Sequence, residues 1–211
     1  MDSQVLKAER GGSTYIVGID EVGRGPVAGP VAVCITWYKV SDQRKLKKAF
    51  PKIGDSKKVP VNRRREYAQK AAELRNDGIL HYTIQYASAT EIDQKGISVC
   101  LHECIERGLK RAEQRGISHK EHIFLDGSLH APKKFYKQKT IVGGDGKVFA
   151  ISLASIIAKV SRDEVMEQYD LQYPGYGLEQ HKGYGTPEHM RCIKFRGMSP
   201  IHRRSFLTKL Q

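Results

Sequence analysis

Two adjacent acids near the start of the chain are the residues best suited to chemistry. Asp20 and Glu21 end an apolar run at residues 15–19, and a glycine–arginine–glycine turn at residues 23–25 follows them. The run predicts a buried strand. Acids at a strand end, beside flexible backbone, can hold a hard cation against a substrate. Because the chain has a formal net charge of +13, we expect that substrate to be a polyanion.

Two further acids lie in contexts that suit a metal site. Asp126 directly follows a short apolar run at residues 123–125. Asp163 lies on a long predicted helix, residues 149–169, four positions after Lys159 and on the same helix face. If the two acid-bearing strands are neighbours, Asp126 lies close to the first acid pair, because strand-end residues of an α/β sheet gather at one edge.

A group of carboxylates of this kind requires cations, since like charges in one cleft repel each other. Oxygen ligands without cysteine or histidine favour Mg²⁺ or Mn²⁺. Two such ions ~4 Å apart would activate a water and stabilise a leaving oxygen in phosphodiester hydrolysis. Each acid by itself also has a plainer interpretation. The pair at residues 20–21 suits a helix cap, Asp126 an ordinary turn, and Asp163 a surface ion pair with Lys159.

The elements that must position these acids are strands followed by alternating helices and strands. This order predicts an α/β fold, a mixed sheet covered by helices. The helix at residues 62–75 is predicted to begin with Asn62 as its N-cap. The predicted strands are residues 15–19, 31–37, 80–86 and 122–125, and the predicted helices are residues 62–75, 97–115, 149–169, 187–195 and 200–210.

The length of 211 residues predicts one large domain with a small addition. We expect a flexible tail at residues 1–13, a catalytic domain at residues 14–170 and a helical substrate-binding appendage at residues 171–211, packed on the same domain. No apolar run approaches the ~18 residues of a membrane span. The polar start of the chain is unlike a secretory signal. We therefore expect a cytoplasmic monomer with no membrane partner.

The four cysteines do not indicate a metal or redox site, because no pair has the CxxC spacing. Cys100, His102 and Cys104 alternate, but on a helix His102 would point away from the other two. The basic residues are more informative about the partner. An excess of 36 Lys and Arg over 23 Asp and Glu favours phosphate backbones as partners, although a solvated surface explains the charge as well.

Taken with their neighbours, these residues resemble the ribonuclease HII family, the type 2 ribonucleases H. The most specific match is residues 18–26, Gly-Ile-Asp-Glu-Val-Gly-Arg-Gly-Pro. The other matches follow in family order and, with the first, span residues 15–206. They are Asp-Ser-Lys-Lys at 55–58, Leu-Asp-Gly at 125–127, Ala-Ser-Ile-Ile-Ala-Lys-Val-Ser-Arg-Asp at 154–163, His-Lys-Gly-Tyr-Gly-Thr at 181–186 and Ser-Pro-Ile-His-Arg-Arg-Ser-Phe at 199–206.

The resemblance implies a ribonuclease H-like fold and hydrolysis of RNA that is joined to or paired with DNA. It further implies incision on the 5′ side of a ribonucleotide embedded in duplex DNA, which leaves a 3′-hydroxyl and a 5′-phosphate. The catalytic, metal-binding acids that it implies are Asp20, Glu21, Asp126 and Asp163, which would hold two divalent cations, Mg²⁺ or Mn²⁺.

The resemblance also implies a set of substrate-binding residues. An enzyme that tells RNA from DNA must contact the 2′-hydroxyl, and glycines let the backbone come close enough to do so. Gly23, Arg24 and Gly25 would grip the ribose, and Tyr184 would pack on the deoxyribose just 3′ of it. A tight strand connection and a turn tyrosine are the plainer alternatives. The lysines expected to hold phosphates, or else simply to be solvated, are Lys57, Lys58 and Lys159.

Some residues depart from the family pattern, and other classes of protein compete with it. Gly96-Ile97 and Leu153 differ from the usual residues, which affects local packing rather than a proposed ligand. Ribonuclease HIII shares the fold but carries an extra N-terminal domain, for which the early motif leaves no room. Ribonuclease HI lacks the glycine–arginine–glycine turn. A non-catalytic nucleic-acid-binding module would have lost an acid, whereas all four are present.

Overall fold

A five-stranded mixed sheet forms the centre of the structure, a computed structural model that describes residues 12, 14–54, 56 and 58–208. The strands are β1 (Tyr15–Val22), β2 (Val31–Lys39), β3 (His81–Ala87), β4 (His122–Asp126) and β5 (Gln138–Ile141), in the spatial order β3-β2-β1-β4-β5. The pairs β1–β2 and β2–β3 are antiparallel. The pairs β1–β4 and β4–β5 are parallel.

Helices cover both faces of this sheet, as the alternating order of elements predicts. They are α1 (Gln43–Ala49), α2 (Val61–Asn76), α3 (Ala89–Lys95), α4 (Ile97–Glu113), α5 (Phe149–Gln172), α6 (Leu178–His181) and α7 (Pro187–Arg196), with short 3₁₀ helices at Val40–Asp42, Gly144–Gly146 and Arg204–Phe206. Strand β2 lies between α4 and α5. None of the helices within the described ranges combines the length and the hydropathy of a membrane span.

Alternation along β1 divides its side chains between two cores. Ile16 packs in the core that contains α5, whereas Val17 and Ile19 pack in the core that contains α4. Gly18 allows α5 to approach β1 closely, since an added Cβ would lie 2.3 Å from the carbonyl carbon of Ala150. The first turn of α5 therefore sits directly on β1, and the helix runs past the acidic end of the strand.

A third core joins the end of the chain to the loop that follows β1. Ala28 from this loop, Met166 from α5 and Ile201 near the end of the chain are buried in one cluster with Leu178 and Ile193. The N–H of Gly29 donates to the carbonyl of Ile201 at 2.8 Å. Residues 171–208 thus pack on the sheet domain through the loop that carries the glycine–arginine–glycine turn.

Two expectations about helices were wrong, one about where a helix begins and one about a helix near the end of the chain. Helix α2 begins at Val61, with Pro60 rather than Asn62 at the N-cap. The carbonyl of Pro60 already accepts a hydrogen bond from the N–H of Arg64 at 2.9 Å, so the first helical turn starts earlier than expected. The helix expected at residues 200–210 is, in its described part, only the 3₁₀ turn Arg204–Phe206.

Tertiary hydrogen bonds explain the missing helix. The N–H of Arg203 donates to the carbonyl of Val27 at 2.8 Å, and His202 forms an isolated β-bridge with Ala28. A backbone group engaged in this way cannot also serve a helix. The remaining residues of that prediction, 209–210, and residues 1–11 and 13 of the expected tail lie outside the described residues.

Candidate active site

Three carboxylates meet where β1 and β4 end. Strand β1 pairs in parallel with β4, and Ile19 lies opposite Leu125. The next residues, Asp20 and Asp126, are therefore neighbours, as the sequence predicts. Asp20, Glu21 and Asp126 each contribute an oxygen, and these oxygens all lie within 4.8 Å of one another. Oxygen donors at this spacing suit a hard divalent cation.

Hydrogen bonds from outside the acid group hold two of its members. The N–H of Gly144 donates to Asp126 Oδ1 at 2.6 Å. The side chain of Ser155, on α5, forms a hydrogen bond to the Asp20 carboxylate and another, at 2.8 Å, with Ser56 Oγ. Neither serine was predicted as a site residue, although both lie inside segments that match the family. Supporting bonds of this kind orient carboxylates for metal binding.

The electrostatics of the group fit a metal site. Asp20 is only 5% exposed. Burial raises the pKa of Asp20 well above its ordinary value, and the negative charges of Glu21 and Asp126 raise it further, while the bond from Ser155 acts in the opposite direction. A cation bound between these oxygens would offset both the burial and the repulsion. The residues present therefore fit the divalent ions that the sequence predicts.

The structure does not place Asp163 in this group of three. Its Oδ1 lies 2.6 Å from Lys159 Nζ, one turn earlier on α5. The prediction that these two residues share a helix face is confirmed. Burial lowers the pKa of Lys159, while the ion pair with Asp163 opposes the shift. The role of Asp163 as a fourth metal ligand stays a prediction.

The glycine–arginine–glycine turn lies beside the three carboxylates. Gly23 has a φ of +86°, a conformation that glycine adopts without strain. Arg24 Nη1 lies 3.8 Å from Glu21 Oε1 and 3.2 Å from Ser128 Oγ. The Arg24 side chain therefore reaches from the turn across the strand ends, and it is about half exposed to any substrate above them.

Tyr184 adjoins the same turn. An added Cβ at Gly25 would lie 3.9 Å from Tyr184 Cε1, and the tyrosine is 47% exposed. The carbonyl of Gly183, one residue earlier, accepts hydrogen bonds from the N–H groups of Val27 and Ala28. Tyr184 and the turn thus form one continuous surface, although they are far apart in sequence.

Comparison with known proteins assigns a family to this fold and site. The family model described as Ribonuclease HII matches residues 17–209. The chain belongs to the ribonuclease HII family. Among curated relatives, the Ribonuclease HII of Prochlorococcus marinus (strain MIT 9312) is 40% identical over 193 residues, which cover 92% of this chain and 89% of the relative.

Solved structures of ribonucleases H share the fold. The ribonuclease H2 of Pyrococcus horikoshii OT3 is 24% identical with a TM-score of 0.70, and the match covers 93% of this chain and 96% of that chain. Bst-RNase HIII in complex with Mn²⁺ is 19% identical with a TM-score of 0.69, over 98% of this chain and 73% of that chain. The predicted ribonuclease H-like sheet is therefore confirmed.

Membership of the ribonuclease HII family settles the general activity. The protein is a ribonuclease H, an endonuclease that acts on RNA paired with DNA and depends on divalent metal ions. Nucleic acid is its substrate, as the basic charge predicts. The acidic group at the ends of β1 and β4 is compatible with this metal requirement.

Two buried arginines of this ribonuclease H lie beneath the turn, and neither was predicted to be a site residue. Arg162 and Arg203 are both 0% exposed. No ion pair joins either guanidinium to a carboxylate in the described part of the chain. Both donate instead to main-chain carbonyls. Arg162 donates to those of Ala28, Pro30 and Lys182, and Arg203 to those of Gly23, Arg24 and Gly29.

Three histidines lie behind Tyr184. His189 Nδ1 lies 2.8 Å from the Tyr184 carbonyl, to which it donates, and His189 Nε2 lies 3.1 Å from His202 Nε2. The ring of His181 stacks on His189 with the centroids 4.1 Å apart. Burial lowers the pKa of His189 to about 4, so this ring is neutral at pH 7. The neutral ring supports the backbone that carries Tyr184.

The predicted phosphate-binding lysines have different settings. Lys57 lies outside the described residues, and Lys58 is exposed. Lys159 forms the ion pair with Asp163 already described. A basic cavity of about 400 Å³, which the sequence analysis did not foresee, opens beside the first turn of α5. The residues that line it are Lys47, Phe50, Lys52, Ile53, Gly146, Lys147, Phe149 and Ser152.

Proposed function

We propose that this ribonuclease H incises duplex DNA on the 5′ side of an embedded ribonucleotide, as a step in removing ribonucleotides from DNA. The products would be a 3′-hydroxyl and a 5′-phosphate. The observation that carries the proposal is the close approach of Tyr184 to Gly25 beside the three carboxylates, since a Cβ added at Gly25 would lie 3.9 Å from Tyr184 Cε1. Two recognition features therefore lie together at the metal site. They are a backbone turn that can bind a 2′-hydroxyl and an aromatic ring that can pack on the next sugar.

The turn and the tyrosine would recognise different parts of the substrate. The 2′-hydroxyl can accept a hydrogen bond, and the main-chain N–H groups of Arg24 and Gly25 are donors that can supply one. Tyr184 presents a half-exposed ring, which stacks on a sugar only where no bulky or polar group intervenes. Together they would select a ribose followed by a deoxyribose, which is the RNA-to-DNA junction.

The acids would hold two divalent cations, Mg²⁺ or Mn²⁺. When bound, such ions activate a water and stabilise charge on the leaving oxygen. Asp20, Glu21 and Asp126 would hold them, oriented by the Gly144 N–H and by Ser155. Bound cations would offset both the mutual repulsion of these carboxylates and the cost of burying Asp20.

Asp163 would complete the ligand set by leaving Lys159. Ser155, Lys159 and Asp163 are spaced four residues apart on α5, so they share the face that already touches Asp20 through Ser155. Lys159, once released from Asp163, would pair with a phosphate of the substrate. This exchange would account for a partly buried lysine that is paired with a predicted metal ligand.

The path of the nucleic acid would follow the basic groups around the site. Lys57 and Lys58 precede α2, and the cavity with Lys47, Lys52 and Lys147 opens beside α5. Lysine binds phosphate as a point charge, which suits contacts that do not depend on sequence. Residues 171–211 would bear the ribose-junction contact through Tyr184, and the protein would act as a monomer.

The experiment that tests this function maps the cut in a defined duplex. One strand carries a single ribonucleotide, and the reaction is run with Mg²⁺ and with EDTA. We expect one cut, 5′ of the ribonucleotide, only with Mg²⁺. Cleavage of a long RNA/DNA hybrid together with no cleavage of this duplex would restrict the protein to the general ribonuclease H activity.

Replacing Tyr184 tests the junction contact separately. Stacking on an aromatic ring contributes ~1–3 kcal/mol, so Tyr184→Ala should lower kcat/KM on the single-ribonucleotide duplex by about tenfold. On a continuous RNA/DNA hybrid, which has no junction at each site, the loss should be smaller. Tyr136→Ala, at a tyrosine that is 62% exposed, is the matched control. Equal losses on both substrates would remove Tyr184 from junction recognition.

A further inference from the structure

We propose that Arg203, assisted by Arg162, is a positioning residue that determines ribose specificity. It would hold the turn so that the N–H groups of Arg24 and Gly25 face the substrate. This inference rests on the proposed function, because it assumes that the turn contacts the ribose. The new element is the pair Arg162 and Arg203, which would set the orientation of the turn although both are distant from it in sequence.

Three carbonyls around the turn point in the same direction. Arg203 Nη2 donates to the Gly23 carbonyl at 2.6 Å, and Arg203 Nη1 donates to the Arg24 carbonyl at 3.1 Å. Arg203 Nε donates to Gly29 at 3.0 Å, where the loop returns towards β2. All three carbonyls therefore point inwards to one buried guanidinium.

The planarity of the peptide bond fixes where the N–H groups point. The described residues contain no cis peptide, and in a trans peptide the C=O and N–H of one unit point in opposite directions. Because the carbonyls of Gly23 and Arg24 point to Arg203, the N–H groups of Arg24 and Gly25 point away from it. Both residues are exposed, and no hydrogen bond from either amide is found among the described residues. Two adjacent donors thus face outwards beside the carboxylates.

Arginine is the side chain best suited to hold these three carbonyls. A guanidinium carries five N–H groups in a rigid fork, so one side chain can serve three carbonyls at once. Because Arg203 has carbonyl partners rather than a carboxylate, its positive charge remains beneath the outward donors. That charge and the two aligned N–H groups favour an electronegative atom at this position, such as a ribose 2′-oxygen or the adjacent phosphate oxygen.

Arg162 packs against the same turn. An added Cβ at Gly23 would lie 2.1 Å from Arg162 Nε, so the guanidinium packs directly against the Cα of Gly23. Arg162 also donates to the Lys182 carbonyl at 2.9 Å, two residues before Tyr184. One buried side chain thereby sets the distance between the turn and the tyrosine.

The test measures binding of two duplexes that differ by one oxygen atom. Both have the same sequence, and one carries a single ribonucleotide where the other is all DNA. The protein carries Asp126→Asn in every sample, with Mg²⁺ present, so that binding is measured without rapid cleavage. The quantity compared is the Kd for the all-DNA duplex divided by the Kd for the ribonucleotide duplex.

Arg203→Lys keeps the charge but cannot serve three carbonyls. We expect the Kd ratio to fall about five- to tenfold, the value of one or two hydrogen bonds, while the Kd for all-DNA duplex is unchanged. Arg162→Lys should lower the ratio less, since Arg203 still holds the two carbonyls of the turn. Arg191→Lys, at an exposed arginine of α7, is the matched control and should keep the parent ratio.

The outcomes separate this inference from the proposed function. If the Asp126→Asn parent does not discriminate between the duplexes, the proposed ribose contact fails. If the parent discriminates and folded Arg203→Lys discriminates equally well, the contact stands and the positioning role of Arg203 is wrong. If Arg203→Lys does not fold, Arg162→Lys decides, and an unchanged ratio in that variant overturns the inference.

Discussion

The acidic site and the turn beside it are both built around buried charge, but they balance that charge in opposite ways. At the ends of β1 and β4, three carboxylates come within 4.8 Å, and burial raises the pKa of Asp20. Under the turn, Arg162 and Arg203 bury two positive charges among six backbone carbonyls. The first region requires an external cation, whereas the second is satisfied by the protein itself.

This difference shows that catalysis and substrate recognition depend on two separate regions of the protein. A carboxylate group left unbalanced binds metal ions, because the ions relieve its repulsion. A backbone turn whose carbonyls are already occupied keeps its shape without any ligand, so it can present donors in a constant geometry. Changes in the first region should therefore affect catalysis and metal binding, and changes in the second should affect stability and substrate choice.

The largest effect should follow from removing one carboxylate. Metal ions supply several kcal/mol of transition-state stabilisation, so Asp126→Asn should lower kcat by about 10³-fold or more. Stability without metal should not fall, because the substitution also removes a repulsive charge. Kinetics in Mg²⁺ measure the loss of kcat, and thermal unfolding in EDTA measures the stability without metal. Asp77→Asn, at an exposed aspartate, is the control. Near-normal turnover by Asp126→Asn would refute the role of this acid.

The second effect is the contribution of His189, behind Tyr184, to the pH dependence of stability. The pKa of His189 is lowered to about 4, whereas an unfolded histidine titrates near its ordinary value of 6.5. Between these values the unfolded state binds more protons, so the free energy of unfolding rises with pH. Acidification through this window should remove up to ~3 kcal/mol of stability. Denaturant unfolding at a series of pH values measures it.

The same pH series contains its own control. The part of the dependence that His189→Asn removes should be equal in Mg²⁺ and in EDTA, because His189 lies behind Tyr184 and not at the carboxylates. His189→Asn, whose amide can still donate to the Tyr184 carbonyl, should flatten the dependence between pH 4 and 6.5. A variant that keeps the full slope would show that other groups cause it.

The smallest expected effect is a difference in stability between alanine variants at two glycines that share a backbone conformation. Gly23 and Gly116 have φ values of +86° and +93°, so alanine is strained at both. An added Cβ meets Arg162 Nε at Gly23 but nothing within 4 Å at Gly116. Gly23→Ala should therefore destabilise the protein by about 2 kcal/mol more than Gly116→Ala, the cost of overpacking. Equal losses in urea unfolding would contradict close packing of Arg162 on the turn.

Local sequence patterns predicted the parts of the fold that depend on nearby residues. Alternating or continuous apolar runs located β1 to β4, and helical periodicity located α4 and α5. The prediction missed β5 because Gln138–Ile141 is largely polar, and the strand is recognised only by its pairing with β4. The helix expected near the end of the chain was wrong because Arg203 pairs with Val27, which no local pattern reveals.

The acids, the glycine–arginine–glycine turn and Tyr184 could be predicted as site residues from the sequence, because their types carry their chemistry and they lie in specific motifs. The groups that hold them in place are visible only once the chain is folded. The partners of Arg203 lie 174 to 180 residues earlier in the chain, and Asp163 contacts Lys159 rather than the other acids. A side chain shows its chemical type in the sequence, but the backbone atoms that satisfy it when buried are chosen only when distant segments pack together.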